Sequence, residues 1–174
     1  MNSKFKKLLK AFSNTLLGLV VVLALLLYGT KLIGLNPYSV LSGSMQSVYP
    51  TGSLLYTRNV DPKTLEAGDI ITFRMNGGVV CTHRIIELVP DNDHPHTIRF
   101  RTKGDENDFA DNSLVEYDDV IGKAMFCIPF FGYLATYMAV PPGKYVAIAV
   151  AAAIILIEII ISIILDGKPQ SAQN

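Results

Sequence analysis

Two long apolar runs stand near opposite ends of the chain, and the stretch between them alternates apolar and polar positions. The first run covers residues 11–30, twenty positions without a charge, centred on "LLGLVVVLALLLYG". The second covers residues 145–165, "YVAIAVAAAIILIEIIISIIL", with Glu158 as its one charge. About twenty apolar residues cross the roughly 30 Å hydrocarbon core of a bilayer, so each run predicts a spanning helix. Gly143, preceded by Pro141 and Pro142, marks the start of the second run, and Asp166, Gly167 and Lys168 close it.

Between the runs the chain reads as strands. "DIITFR" (69–74) follows the turn signal Glu66-Ala67-Gly68, and "GVVCTHRIIELV" (78–89) follows Asn76-Gly77-Gly78, a hairpin-like turn. "TIRFRTKG" (97–104) alternates Ile98, Phe100 and Thr102 with Arg99, Arg101 and Lys103, and "DDVIGKAMFCIP" (118–129) reads as a further strand. No stripe of helical period is expected there. The predicted fold class is therefore mainly β, an antiparallel β domain flanked by an N-terminal and a C-terminal transmembrane helix.

Charge sets the orientation. Lys4, Lys6, Lys7 and Lys10 precede the first run with no acid among them, which holds that flank in the cytoplasm. Lys31 at the far end can snorkel outward. The predicted order is a cytoplasmic tail (1–10), a signal-anchor (11–35), an extracytoplasmic domain (36–143), a second span (144–166) and a cytoplasmic tail (167–174). A cleaved signal peptide shares the basic and apolar regions. The run is long for that, and no clear small-x-small site follows it, so a retained anchor is the expectation. Glu158 is costly in a span unless neutral or in polar company at a helix interface; a contact to a partner helix is the functional alternative. Fifteen basic and fifteen acidic residues leave the chain formally neutral, which points to no nucleic-acid partner.

Cys81 and Cys127 are the only cysteines. A disulfide is chemically allowed on the exterior side, but their apolar strand contexts suit free thiols packed as small hydrophobes, and without CxxC spacing no zinc site is expected. Asp91, Asp93, His94 and His96 crowd one Pro/Asp/Asn loop, which reads as solvated turn chemistry rather than a metal cluster.

Candidate chemistry begins at "SGSMQSVYPTGS" (42–53), a concentration of serines and glycines just beyond the anchor. Hydrolysis by serine needs a hydroxyl, a base, oxyanion donors and a group orienting the base. His83 lies inside an apolar strand where a polar ring must find partners. Asp105, Glu106, Asp108 and Asp111 follow within seven positions of one another, and spacing alone leaves open which of them, if any, meets His83.

"SGSM" after a membrane anchor, "HRII" on a strand, and "TKGD" with a second aspartate six positions later resemble type I signal peptidase, in the branch that uses histidine as base. The resemblance spans about residues 38–125 in colinear order. It implies Ser44 as nucleophile, His83 as general base, and Asp111 or Asp105 as the carboxylate behind it. It further implies Ser42 and the Ser44 amide as oxyanion donors, Gly43 as a point of close backbone approach, and Met45 as part of the wall of the substrate groove. Ser47 departs from the family's pattern, which commonly has proline there.

The implied activity is removal of signal peptides from exported preproteins at the extracytoplasmic face, with small side chains at the first and third positions before the cut and no cofactor. Plasma membrane is the expected location ahead of endoplasmic reticulum. The expected partners are preproteins, the bilayer, and a membrane subunit against the second span. Two alternatives stand beside this reading. One is a peptidase dedicated to a few matrix or pilus-like substrates; the other is a non-catalytic tethered β domain.

Overall fold

A computed structural model describes residues 3–75, 77–90 and 98–166. The His94 and His96 loop lies outside the described residues, as do Asn76, Gly167 and Lys168. Helix α1 runs Ser3–Leu27, followed by a short 3-10 turn over Gly29–Ile33. Six strands follow: β1 (Leu35–Ser39), β2 (Leu54–Arg58), β3 (Ile70–Arg74), β4 (Val80–Pro90), β5 (Ile98–Lys103) and β6 (Val120–Ile128). Helices α2 (Phe131–Ala139) and α3 (Gly143–Asp166) complete the described chain.

The fold class is mixed rather than mainly β. Helices α1 and α3, with 25 and 24 residues, together hold more of the chain than the strands do. Both are long and apolar enough to cross a membrane, over Lys7–Leu27 and Gly143–Ile163. They fall in one compact unit and pack on each other, while residues 30–136 form a second unit. The carboxylate oxygen Oε2 of Glu158 is buried with no hydrogen-bond partner among the described residues. Helix α2 is also an addition to the expected elements. It is short and apolar nearly all round, so it carries no polar stripe to reveal its period.

The sheet is wholly antiparallel, in the order β1-β2-β6-β3-β4-β5. Alternation sends neighbouring residues to opposite faces, and both faces are covered. Ile71 and Phe73 join Leu65, Ile85, Phe100 and Val115 in one cluster. Ile70 joins Met45, Tyr49, Leu55 and Ala124 in the other. Full burial of side chains such as Ile71, Ile85 and Phe100 stabilises the unit by roughly 1.5–3 kcal/mol each. Strand β1 contains Pro37, which is tolerated because β1 is an edge.

Hydroxyls cross the centre of the sheet. Gly122 of β6 faces Thr72 of β3, and Thr57 of β2 reaches Thr72 at 3.0 Å. Thr72 in turn meets Thr82 of β4 at 2.9 Å. A Cβ at Gly122 would lie 2.2 Å from the Arg58 carbonyl oxygen, so β2 and β6 could not keep this approach around any larger residue. The two cysteines are free thiols, Cys81 beside the first cluster and Cys127 beside the second.

Candidate active site

Strand β4 positions His83 by alternation. Its register partner is Ile71, so the imidazole shares a face with the Phe73 ring, with ring centroids 6.2 Å apart. Only 7% of the residue is exposed, and a buried imidazole needs partners for both nitrogens. Nδ1–H donates to Asp111 Oδ2 at 2.7 Å. That bond leaves Nε2 as the acceptor, and Ser44 Oγ lies 3.1 Å from it.

Ser44 is held in a closed turn. Val40 and Gly52–Ser53 form its neck, through Val40 N–H to Ser53 O and Gly52 N–H to Val40 O. Inside it, Gln46 N–H donates to Gly43 O, and Tyr49 N–H to Met45 O. The Thr51 hydroxyl donates to the Ser42 carbonyl at 3.0 Å. The Ser42 hydroxyl sits 3.4 Å from Ser44 Oγ.

Asp111 lies in the turn after β5 and is tied back to that strand. Its N–H donates to the Thr102 carbonyl at 2.8 Å, while the Thr102 hydroxyl donates to its Oδ2 at 2.6 Å. Thr102 is fully buried. One carboxylate oxygen thus accepts from both Thr102 and His83. A hydroxyl, an imidazole and a carboxylate in series form an arrangement that can draw a proton from the hydroxyl.

The other expected aspartate has a different partner. Asp105 takes the Arg84 guanidinium in a two-pronged pair, at 2.9 Å from Nε and 2.6 Å from Nη2. Arg84 also donates to the Gly68 carbonyl. The Arg84 hydrogen bond holds the Asp105 carboxyl below the usual carboxylate range, against the opposing effect of burial. Asp105 therefore is not the carboxylate hydrogen-bonded to His83. Side chains alternate along β4, so Arg84 and His83 project to opposite faces and collect different aspartates from the same turn.

Two further site residues have these surroundings. Met45 is 3% exposed and belongs to the second core cluster, and its sulfur accepts the Asp105 N–H. It supports the turn from beneath. A Cβ at Gly43 would meet nothing nearer than 4.0 Å, so close approach within the chain does not require glycine there. It does at Gly104, where a Cβ would lie 2.8 Å from the Ser44 carbonyl oxygen and 2.9 Å from Ser44 Cβ. Thr102 was legible as an alternating strand position and, with Gly104, as part of "TKGD", but nothing in the sequence marked what they touch.

Cys81, two residues before His83 on the same face, brings its sulfur to 3.6 Å from Nε2. Burial, and then the Asp111 charge, push this thiol up to about 11, so it stays neutral at ordinary pH. A cavity of about 880 Å³ lies along the Asp111 turn, lined by Phe73, Arg99, Phe109 and Val115 among others. Neither Ser44 nor His83 lines it. Among the described residues no group of acidic, cysteine and histidine side chains could hold a metal ion.

No family model matches the chain. Relatives do. Signal peptidase I W of Bacillus subtilis is 37% identical over 124 residues, 64% of this chain and 64% of that protein. The signal peptidase complex catalytic subunit SEC11C of the rat is 34% identical over 128 residues, 68% of this chain and 66% of that one. Human SEC11B is 30% identical over 141 residues, which cover 83% of it. The chain belongs to the type I signal peptidase family. Within that family it falls in the branch holding the W-type Bacillus enzyme and the SEC11 subunits. The chain spans just under two thirds of the length of the first two signal peptidase relatives.

Proposed function

We propose that the chain is a membrane-anchored serine endopeptidase that removes signal peptides from exported preproteins, with residues 36–143 on the extracytoplasmic side. The observation that carries this reading is the series from Ser44 Oγ through His83 to Asp111 Oδ2, at 3.1 and 2.7 Å. Family membership supports the substrate class. The four lysines before the first span support the orientation.

In this reaction Ser44 Oγ attacks the scissile carbonyl while its proton passes to His83 Nε2. Asp111 keeps the Nδ1 proton in place and stabilises the imidazolium. The Ser42 hydroxyl and the Ser44 N–H face the oxyanion as the tetrahedral carbon forms. The C–N bond then breaks, and the new amine of the mature protein takes the proton from His83. The signal peptide remains as an acyl ester on Ser44 until water, deprotonated by His83, releases it as a carboxylate. Asp105 serves a different end: its Arg84 pair braces the turn that carries Asp111.

Cleavage of a model preprotein by the detergent-solubilised full chain tests the reading. Ser44→Ala and His83→Ala are expected to abolish detectable turnover. Asp111→Asn is expected to lower kcat by about a thousandfold or more, as the wrong imidazole tautomer becomes favoured. Full activity in Ser44→Ala would end the proposal.

A membrane partner at α3 fits the same reading. The rat and human SEC11C relatives are named as subunits of a complex, and the buried Glu158 oxygen lacks a hydrogen-bond partner among the described residues. Co-purification of a second membrane protein, lost in Glu158→Leu, is the expected result.

A further inference from the structure

Two turns meet at Ser44, and one residue holds them from both sides. Glu106 N–H donates to the Ser44 carbonyl at 3.0 Å. The Glu106 carboxylate accepts the Ser47 N–H at 3.2 Å. Ser44 O and Ser47 N–H are the two ends of one short turn, and Glu106 spans it, with its main-chain N–H at one end and its carboxylate at the other. Beside this bridge, the Asp105 N–H reaches the Met45 sulfur at 3.3 Å, and Gly104 is packed against Ser44 itself. The turn's internal bonds, from Gln46 N–H to Gly43 O and from Val48 N–H to Met45 O, leave the Ser47 N–H pointing to Glu106.

We infer that Glu106 is a positioning residue for the nucleophile, fixing the Ser44 turn against the Asp111 turn through the Ser47 N–H. Ser44 comes from the β1–β2 connection and Asp111 from the β5–β6 connection, so no strand ladder sets their separation. The reach from Ser44 Oγ to His83 Nε2 depends on how these turns register. An acceptor at the Glu106 side chain holds that register from outside the reacting set. The donor is a main-chain N–H, so the contact requires a residue other than proline at position 47. Ser47 meets that requirement.

The inference rests on Ser44 being the nucleophile, and its test separates the two. In the full chain, Glu106→Ala is expected to lower kcat by about three- to tenfold with KM unchanged, the rate equivalent of one solvent-exposed hydrogen bond of ordinary strength. Glu106→Gln, which keeps an acceptor without the charge, should recover most of that loss. The acid limb of the pH–rate profile should not move, since Glu106 acts through geometry and not through its field on His83. Ser47→Pro, which deletes the donor, should match Glu106→Ala, and the double variant should lose no more than either alone.

Amide hydrogen exchange supplies a readout independent of turnover. The Ser47 N–H should exchange faster in Glu106→Ala and at the parent rate in Glu106→Gln. An unchanged kcat in Glu106→Ala, or a Gln variant as slow as the Ala one, overturns the inference. So does an unchanged Ser47 exchange rate, which also decides the matter if Ser47→Pro fails to fold. Faster exchange in a chain whose cleavage does not depend on Ser44 would leave the bridge standing and remove the peptidase reading instead.

Discussion

The site has a half built on strands and a half built on turns, and they are secured by different physics. His83 on β4 and Thr102 on β5 are buried, flanked by paired strands, and backed by the cluster of Ile71, Ile85 and Phe100. To displace either is to disrupt the sheet. Ser44 and Asp111 stand in connections, held by a handful of main-chain bonds and one close approach at Gly104. Substitutions near the strands should therefore register in stability as well as rate, and those between the turns chiefly in rate.

The sharpest probe is Gly104→Ala. Its new Cβ would fall 2.8 Å from the Ser44 carbonyl oxygen, a main-chain atom that cannot step aside alone. The turn must shift, and a displacement on the order of 1 Å costs about a hundredfold in rate. The expected result is that loss of kcat with a melting temperature near that of the parent. A large fall in melting temperature with little loss of kcat would erase the contrast between the halves.

Thr102→Val comes next. It keeps the shape and removes the hydroxyl that donates to Asp111 Oδ2 at 2.6 Å. A roughly tenfold fall in kcat is expected, with a loss of stability on the order of 1 kcal/mol, while Thr102→Ser should retain most of both. Steady-state kinetics and thermal melts on the three proteins check this. A Val variant as stable as the parent would detach Thr102 from the strand-built half.

Asp105→Asn should change the rate least. Its effect is on stability, and the sign follows from the lowered carboxyl. The unfolded chain takes up this proton at a higher pH than the folded chain does, so the Arg84 pair stabilises fully above the ordinary carboxylate range. That contribution fades as pH falls through the lower folded value. Melting curves of Asp105→Asn and the parent should differ at neutral pH and converge in acid. A gap that persists undiminished into strong acid would mean that the pair is not what Asp105 contributes.

The sequence made the strand-built half easier to read than the other. Strands β3 and β4 betray themselves by turn signals ahead of runs rich in β-branched residues, β5 by alternation, and β6 by a further apolar run. Strand β1 does not, since Asn36 and Pro37 look like a break and an edge strand tolerates them. Strand β2 hides differently: Leu54, Leu55, Tyr56 and Thr57 are all buried, so no alternation survives. At the site, residue types announced a serine, a histidine and nearby acids. They could not say which acid, because the choice belongs to the opposite faces of His83 and Arg84 on one strand. Glu106 was visible only as one charge in an acidic turn; its partner is a main-chain N–H, which no side chain advertises.

The place of β6 carries a consequence for how the molecule comes into being. The last strand made is the third in spatial order, wedged between β2 and β3. Until residues 120–128 emerge, the hairpin side bearing Ser44 and the side bearing His83 have no seam to join them. Closing that seam ties together positions far apart along the chain, which slows folding relative to local pairing. On the proposed reading, a nascent copy is chemically silent until β6 has been made. A ribosome stalled before β6 would expose a chain with Ser44 and His83 both present and unable to meet.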